Sequence, residues 1–369
     1  MSDGLNMSRR IRRTPYTDRV EAAGVRGFSV VNHMLLPKAF QPTVEQDYWH
    51  LRTHAQIWDV SCQRQVDISG PDAARLVQWM TPRNIGGAKP GDCLYVPIID
   101  ADAGLINDPV LLKLAEDHFW LSIADSDVLL YAKGLAIGAG MDVRVTEPDV
   151  SPLAVQGPKA VDLMADLFGA AIRDLGFFKF GWFDFQSTKQ LIARSGYSRQ
   201  GGYEIYLNGG SLGSALWDAV WQAGQPYNIT PGCPNLIERI EGGLFSYGNE
   251  MTRDNNPLEI GLGKFCTLDG SIDYIGSQAL RRIATEGIRR DIRGVTFDGG
   301  PCPTCSSPWP VMVGALKVGQ ITSGIWSPRL KTNVGLSLID TGYDDIGQPV
   351  TVHSRDGLAR VGQITSLPM

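Results

Sequence analysis

One small unit occurs twice in this chain, and that repetition constrains the fold more than any other feature. Residues 65–80 read Gln65-Val-Asp-Ile-Ser-Gly-Pro-Asp-Ala-Ala-Arg-Leu-Val-Gln-Trp-Met80, and residues 153–168 read Leu153-Ala-Val-Gln-Gly-Pro-Lys-Ala-Val-Asp-Leu-Met-Ala-Asp-Leu-Phe168. Each copy alternates like a strand, breaks at Gly-Pro and continues as an amphipathic helix. Pro71 and Pro158 suit a first helical turn, where a missing N–H costs nothing. Val161, Met164, Leu167 and Phe168 fall on one helical face. Two copies predict two related α+β units, because a solenoid needs more. At 369 residues the chain exceeds one ordinary core, so two or three domains are expected.

Strand-like runs follow the first helix. Cys93-Leu-Tyr-Val-Pro-Ile-Ile99 and Asp108-Pro-Val-Leu-Leu-Lys-Leu114 flank the turn-forming Asp100-Ala-Asp-Ala-Gly104, which predicts a hairpin. His118-Phe-Trp-Leu-Ser-Ile-Ala124 reads as a third strand, and residues 125–140 look helical. Residues 191–196 and 202–207 form a second hairpin around a polar tip, and 212–221 form an amphipathic helix. After about residue 287 the helical periodicity stops. Short apolar runs split by Gly, Pro and Asp predict a small all-β barrel or sandwich over 288–369.

Composition narrows the function classes. Hydrophobic residues make up 43% and charged residues 20%, as in a soluble globular chain. A net charge of -5 argues against a nucleic-acid partner, and no stretch is apolar for long enough to span a bilayer. Met1 to Tyr16 carries Arg9, Arg10, Arg12 and Arg13 with no apolar segment behind them, which predicts an N-terminal arm rather than a secretory leader. The six scattered cysteines read as reduced thiols in the cytoplasm. Cys302-Pro-Thr-Cys305 lacks both a second pair and a βαβ context, so neither a metal nor a redox role is expected of it. His50 and His54 stand four apart without a third ligand, and no metal site is expected. There is neither a phosphate-binding G-x-x-x-x-G-K-[ST] nor an H-E-x-x-H.

Two local clusters carry chemistry. Leu105-Ile-Asn-Asp108 puts a carboxylate at a hairpin edge. Ser195-Gly-Tyr-Ser-Arg-Gln-Gly-Gly202 is a glycine-bracketed polar loop, followed by Tyr203, Glu204, Ile205 and Tyr206. In a strand, Glu204 and Tyr206 share a face. A carboxylate beside an aromatic ring suits a flat, amide-like heterocycle: the acid accepts from ring N–H groups while the ring stacks. From this segment alone, a solvated edge strand is the simpler reading.

From about residue 30 to the C-terminus the chain resembles the glycine-cleavage T-protein family. The resemblance is carried by Gly104-Leu-Ile-Asn-Asp108 with Tyr95 upstream, by Ala154-Val-Gln-Gly-Pro-Lys159, by residues 194–205 and by residues 238–250, with a weaker match at Thr322-Ser-Gly-Ile-Trp-Ser-Pro328. It implies an α+β fold, a three-domain cloverleaf of the T-protein type with a C-terminal β-barrel-like domain. The implied units are 1–60 with 150–230, 61–149 with 231–287, and 288–369. Tetrahydrofolate is the implied methyl acceptor, with no metal. Glu204 is expected at the pterin, Asp108 at the reactive end of the folate as the catalytic anion, and Tyr95 and Tyr206 as further folate contacts. The family usually has Arg where this chain has Asn235, which leaves the contact made from there in doubt.

Within the family the chain is most similar to the branch that demethylates dimethylsulfoniopropionate, through Asn32-His-Met-Leu-Leu-Pro37, Gln56-Ile-Trp-Asp-Val60, Arg64-Gln-Val66 and residues 94–99. Ser198-Arg-Gln-Gly201 stands where the T-protein has an acidic Thr-Gly-Glu-Asp-Gly run. The implied partners are a small sulfonium substrate and folate. Tyr197, Tyr206 and Trp326 are candidates for the sulfonium and Ser122 for the substrate carboxylate. An aminomethyltransferase of glycine cleavage, a folate-dependent O- or N-demethylase and a non-catalytic folate-binding protein remain alternatives. The sequence leaves the oligomeric state open.

Overall fold

Both Gly-Pro junctions turn a strand into a helix. In the computed structural model, which describes residues 8–369, strand Gln65–Ser69 leads to helix Ala73–Met80, and strand Val150–Gln156 leads to helix Ala160–Phe168. The prolines sit in the turn ahead of each helix rather than inside its first turn. Gly157 takes a φ of +115°, and a Cβ there would clash with the His54 carbonyl oxygen, so the turn requires glycine. The first seven residues of the basic arm lie outside the described residues. Beyond them Arg12 pairs with Glu147, and Arg13 with Asp18 and Glu21.

The chain divides into two compact units. Unit one takes in the chain up to Val77, Ile85–Val96 and Pro109–Asn235; unit two takes in Gln78–Asn84, Pro97–Asp108 and Leu236–Met369.

Unit one is built on two sheets. The six-stranded sheet runs in the order Phe180–Phe185, Thr188–Ala193, Gly202–Asn208, Val150–Gln156, Gln56–Asp59, Thr230–Gly232. The five-stranded sheet runs Arg144–Thr146, Gln65–Ser69, His118–Ser122, Val110–Ala115, Cys93–Tyr95. Side chains alternate between faces, so each strand feeds two cores. Tyr203, Ile205 and Leu207 point to one face of the six-stranded sheet, against Leu163, Met164, Leu216, Trp217 and Val220 of the helices Ala160–Phe168 and Gly213–Gly224. Phe180, Leu191, Ala193 and Tyr206 belong to a second core, where they meet Cys93, Leu112 and Trp120 of the five-stranded sheet.

In unit two the tail closes into a β-barrel in the order Arg290–Phe297, Thr332–Asp340, Leu316–Ser327, Trp309–Val313, Pro349–His353, Ala359–Thr365. Its interior holds Val295, Phe297, Trp309, Val311, Ile321 and Val352. Cys302 and Cys305 pack partly buried against this core as free thiols, and burial pushes both up to about 11.

Two expectations change. The run 93–99 is not one strand: Cys93–Tyr95 pairs with 110–112 in unit one, whereas Ile98–Ile99 pairs with Leu105–Asn107 in unit two. Pro97 and Pro109 explain the break, since neither has an N–H for the ladder. The strand carrying Glu204 is not an edge strand either. It lies between two antiparallel neighbours, with Glu204 opposite Ala154 on one and Ala193 on the other.

Candidate functional site

Five of the residues singled out from sequence lie in unit one: Tyr95, Ser122, Tyr197, Glu204 and Tyr206. The ladder sets four of them on the facing surfaces of the two sheets. Tyr95 is opposite Val110, Val110 opposite Ser122, and Ser122 opposite Gln65. Directly paired residues share a face, so Tyr95, Ser122 and Gln65 line one row of the five-stranded sheet. Two residues along, the next row on that face holds Cys93, Leu112 and Trp120, which meet Tyr206 of the six-stranded sheet. Glu204 is one alternation from Tyr206 and points the same way. The Trp120 and Tyr206 rings stand 6.5 Å apart at 42°. Tyr197 comes from the loop and packs on Trp58 and Ala154, the latter directly opposite Glu204 in the sheet.

This interior is buried and polar at once. Glu204 is 5% exposed and accepts a short hydrogen bond from the Ser195 hydroxyl. Burial pushes its carboxyl up, while the hydroxyls of Ser195 and Tyr206 favour the ionised form. Tyr206 is fully buried. Its hydroxyl makes no hydrogen bond of ordinary geometry, although Glu204, Ser195 and Ser122 all lie close enough to bear on its ionisation, which burial moves well upward. Gln65 donates from Nε2 to the Ser122 hydroxyl oxygen at 3.0 Å and to the Gln63 carbonyl oxygen at 2.7 Å, which leaves its Oε1 buried without a donor. Two buried polar atoms without partners, one able to donate and one to accept, each cost about 1–3 kcal/mol unless a ligand or water meets them. Together with an accepting carboxyl and two aromatic rings, they fit the edge of a flat heterocycle that carries both N–H and C=O groups.

Asp108 and Trp326 lie in unit two. Asp108 directly follows the strand Leu105–Asn107, is half-buried, and has one carboxylate oxygen shielded from solvent. Trp326 is half-buried on the barrel strand Leu316–Ser327, opposite Asn333. The Asn235 side chain, in unit one, is buried and donates to the Val44 carbonyl oxygen at 3.1 Å, which ties it to the N-terminal end of helix Val44–Leu51. A concavity of about 450 Å³ in unit two is lined by Asp100, Arg253, Glu259 and Arg289. Asp100 there already faces Arg253 at 3.3 Å and Glu259 faces Arg290 at 3.6 Å, and none of the residues given a catalytic or binding role from sequence lines it.

Sequence reasoning missed Ser195 as the partner of Glu204, and it missed Gln65. The alternation of the first repeat, which sets Gln65 and Asp67 on one face, was the available signal for Gln65. Among the described residues, no group of three or more His, Cys, Asp or Glu side chains is placed to hold a metal ion, and no helix is long and apolar enough to cross a membrane.

Comparison with known proteins follows from this geometry. Residues 16–270 match the GCVT N-terminal domain, and residues 290–369 match the glycine cleavage T-protein C-terminal barrel domain. The chain is 49% identical over 354 residues to the dimethylsulfoniopropionate demethylase DmdA of Ruegeria pomeroyi, covering 96% of each. It is 31% identical to an aminomethyltransferase of Alkaliphilus oremlandii, covering 83% of each. Its fold superposes on the glycine cleavage system aminomethyltransferase T of Bartonella henselae with a TM-score of 0.87 at 23% identity, covering 97% of this chain and 98% of that one.

Proposed function

We propose that this chain, which belongs to the glycine-cleavage T-protein family, demethylates dimethylsulfoniopropionate, moving a methyl group from the sulfonium to N5 of tetrahydrofolate and releasing methylmercaptopropionate and the N5 proton. One observation carries the choice of donor: the likeness to the Ruegeria demethylase is much stronger than the likeness to the aminomethyltransferases, and it runs the length of both chains. The loop Ser198-Arg-Gln-Gly201 supports the same choice, because it lacks the acidic residues of the aminomethyl-transferring relatives.

The chemistry asks for alignment more than for activation. The leaving group is a neutral thioether, so the methyl carbon is already electrophilic. When bound, tetrahydrofolate supplies the N5 lone pair that takes the methyl. The chain's own residues then have three tasks. Glu204 accepts from pterin N–H groups, with Tyr95 and Tyr206 as its aromatic walls. The tight sheet-on-sheet interior excludes water, so proximity and a low local dielectric act together. Asp108 supplies a fixed anion where positive charge develops as it leaves sulfur, which favours the transition state over the ground state.

For the donor, Tyr197, Tyr206 and Trp326 offer aromatic faces, each worth about 0.5–2 kcal/mol toward a sulfonium. Ser122 accepts from Gln65 and donates only a long 3.5 Å bond to the Gln63 side-chain oxygen, a proton that a substrate carboxylate would compete for. The site of action is the cytoplasm, a reading supported by six unpaired thiols.

The test is incubation with tetrahydrofolate and candidate donors, with mass detection of 5-methyltetrahydrofolate. Product is expected with dimethylsulfoniopropionate. Turnover only with an aminomethyl-lipoyl carrier would replace this reading with the aminomethyltransferase one. Asp108→Asn is expected to lower kcat about 10- to 100-fold, a loss of roughly 1.4–2.8 kcal/mol, with folate affinity retained. Loss of affinity at unchanged kcat would remove Asp108 from the methyl-transfer step.

A further inference from the structure

The loop between strands Thr188–Ala193 and Gly202–Asn208 is held by a side chain from the adjoining strand. Gln156 ends the strand Val150–Gln156 and is fully buried. Its Nε2 donates to the Ser195 carbonyl oxygen at 3.2 Å, and its Oε1 accepts from the Ser198 hydroxyl at 2.8 Å. Gly196 and Gly202, at φ +151° and +149°, fold around that amide so closely that a Cβ on either would clash with it. One amide thus fixes both ends of a four-residue stretch, and the stretch begins at Ser195. Ser195 is 4% exposed and spends its hydroxyl on the Oε2 of Glu204.

We propose that Ser195, fixed by Gln156, is the positioning residue that orients the Glu204 carboxyl to receive the N–H groups of a flat heterocycle. The proposal rests on the assignment of Glu204 to the pterin. The physical reason is scarcity. Around Glu204 the titratable neighbours are Tyr206 on its own strand and Cys93 on the strand Cys93–Tyr95, and burial keeps both neutral. Burial opposes ionisation of Glu204, and the hydroxyls of Ser195 and Tyr206 are what favour it. Of the two hydroxyls, Ser195 is the one that donates to the Glu204 Oε2, and its backbone is held in turn by the Gln156 side chain. Neither residue touches the reacting atoms, so both act through Glu204.

Tetrahydrofolate affinity of the full chain, titrated from pH 5 to 9, tests this. A raised folded pKa means that ionised Glu204, and affinity with it, is lost as pH falls through that pKa. Ser195→Ala removes a donor to the anion. The expected result is about 10-fold weaker binding at pH 7 and an acid limb displaced to higher pH, with Tm nearly unchanged. Ser195→Cys, with its weaker S–H donor, should fall between the two. A merely structural serine would move Tm and leave the pH profile in place. Gln156→Leu should raise KM for folate at unchanged kcat, and an unchanged KM overturns the clamp. Glu204→Gln is the reference arm. If it binds folate as the native chain does, the pterin assignment itself fails. If it binds weakly while Ser195→Ala keeps the native affinity and profile, the positioning role is overturned.

Discussion

Glu204 in unit one and Glu250 in unit two are both buried carboxylates, at 5% and 1% exposed, and they are provided for in opposite ways. Glu250 faces the Arg239 guanidinium at 2.9 Å, takes the Ser246 backbone N–H at 2.8 Å, and accepts from Thr322 at 3.3 Å and from Ser323. Its charge is neutralised and both oxygens are occupied. Glu204 has one short bond from a neutral serine and lies near a tyrosine hydroxyl without an ordinary partner. A saturated buried carboxylate fixes a fold. An undersupplied one holds acceptor capacity in reserve at a cost in stability, and a ligand recovers that cost on binding.

Substitutions can break or sharpen this contrast. Arg239→Met leaves Glu250 buried without its cation and is expected to cost about 3–5 kcal/mol in denaturant unfolding. If the loss is below about 1 kcal/mol, Glu250 is no more structural than Glu204. A third buried carboxyl, Asp59, tests the cost of burial by itself. Burial pushes it up to about 6, against the hydrogen bonds from Thr14 and Ser61. An acid with a folded pKa above its unfolded value binds its proton more tightly when folded. Stability therefore falls as pH rises from about 4 to about 6 and is flat beyond, by on the order of 3 kcal/mol. Asp59→Asn should remove that slope from a stability–pH series; an unaltered slope assigns it to other groups.

Glu204→Gln deletes a charge that burial disfavours. It is expected to leave unfolding free energy the same or raise it by about 1 kcal/mol, while folate affinity falls. A loss resembling that of Arg239→Met would erase the contrast. Tyr206→Phe removes a hydroxyl with no ordinary partner, so its stability change should stay within about 0.5–1 kcal/mol of native by calorimetry. A loss above 2 kcal/mol would mean that the hydroxyl bonds to the protein after all.

How legible all this was in the sequence depended on how local each cause is. The strand–Gly-Pro–helix unit is written in consecutive residues, and it folds as written at Gln65–Met80 and Val150–Phe168. The common face of Glu204 and Tyr206 follows from a period of two within one strand. Whether that strand lies at an edge depends on pairing with Val150–Gln156, some fifty residues earlier, and nothing within 202–208 announces it. Pairing across the chain likewise hid the Gln65–Ser122 bond, whose partners are 57 residues apart, and a glycine-bracketed loop hid the Ser195–Glu204 bond, whose partners are 9 apart. The break at Pro97 was a different kind of miss. The missing N–H was visible in the text, but the apolar run around it read as continuous.

The division of the chain also bears on how it can be taken apart. The chain passes between the units five times, after Val77, Asn84, Val96, Asp108 and Asn235. No single backbone cut frees either unit with all of its parts. Along the chain, the hairpin Ile98–Asn107, which ends beside Asp108, falls between the strands Cys93–Tyr95 and Val110–Ala115 of the other unit. A gene fragment ending near residue 235 would carry orphaned pieces of the second unit, so neither truncation nor end-to-end fusion reproduces this arrangement, and the two units must be inherited as one piece of text.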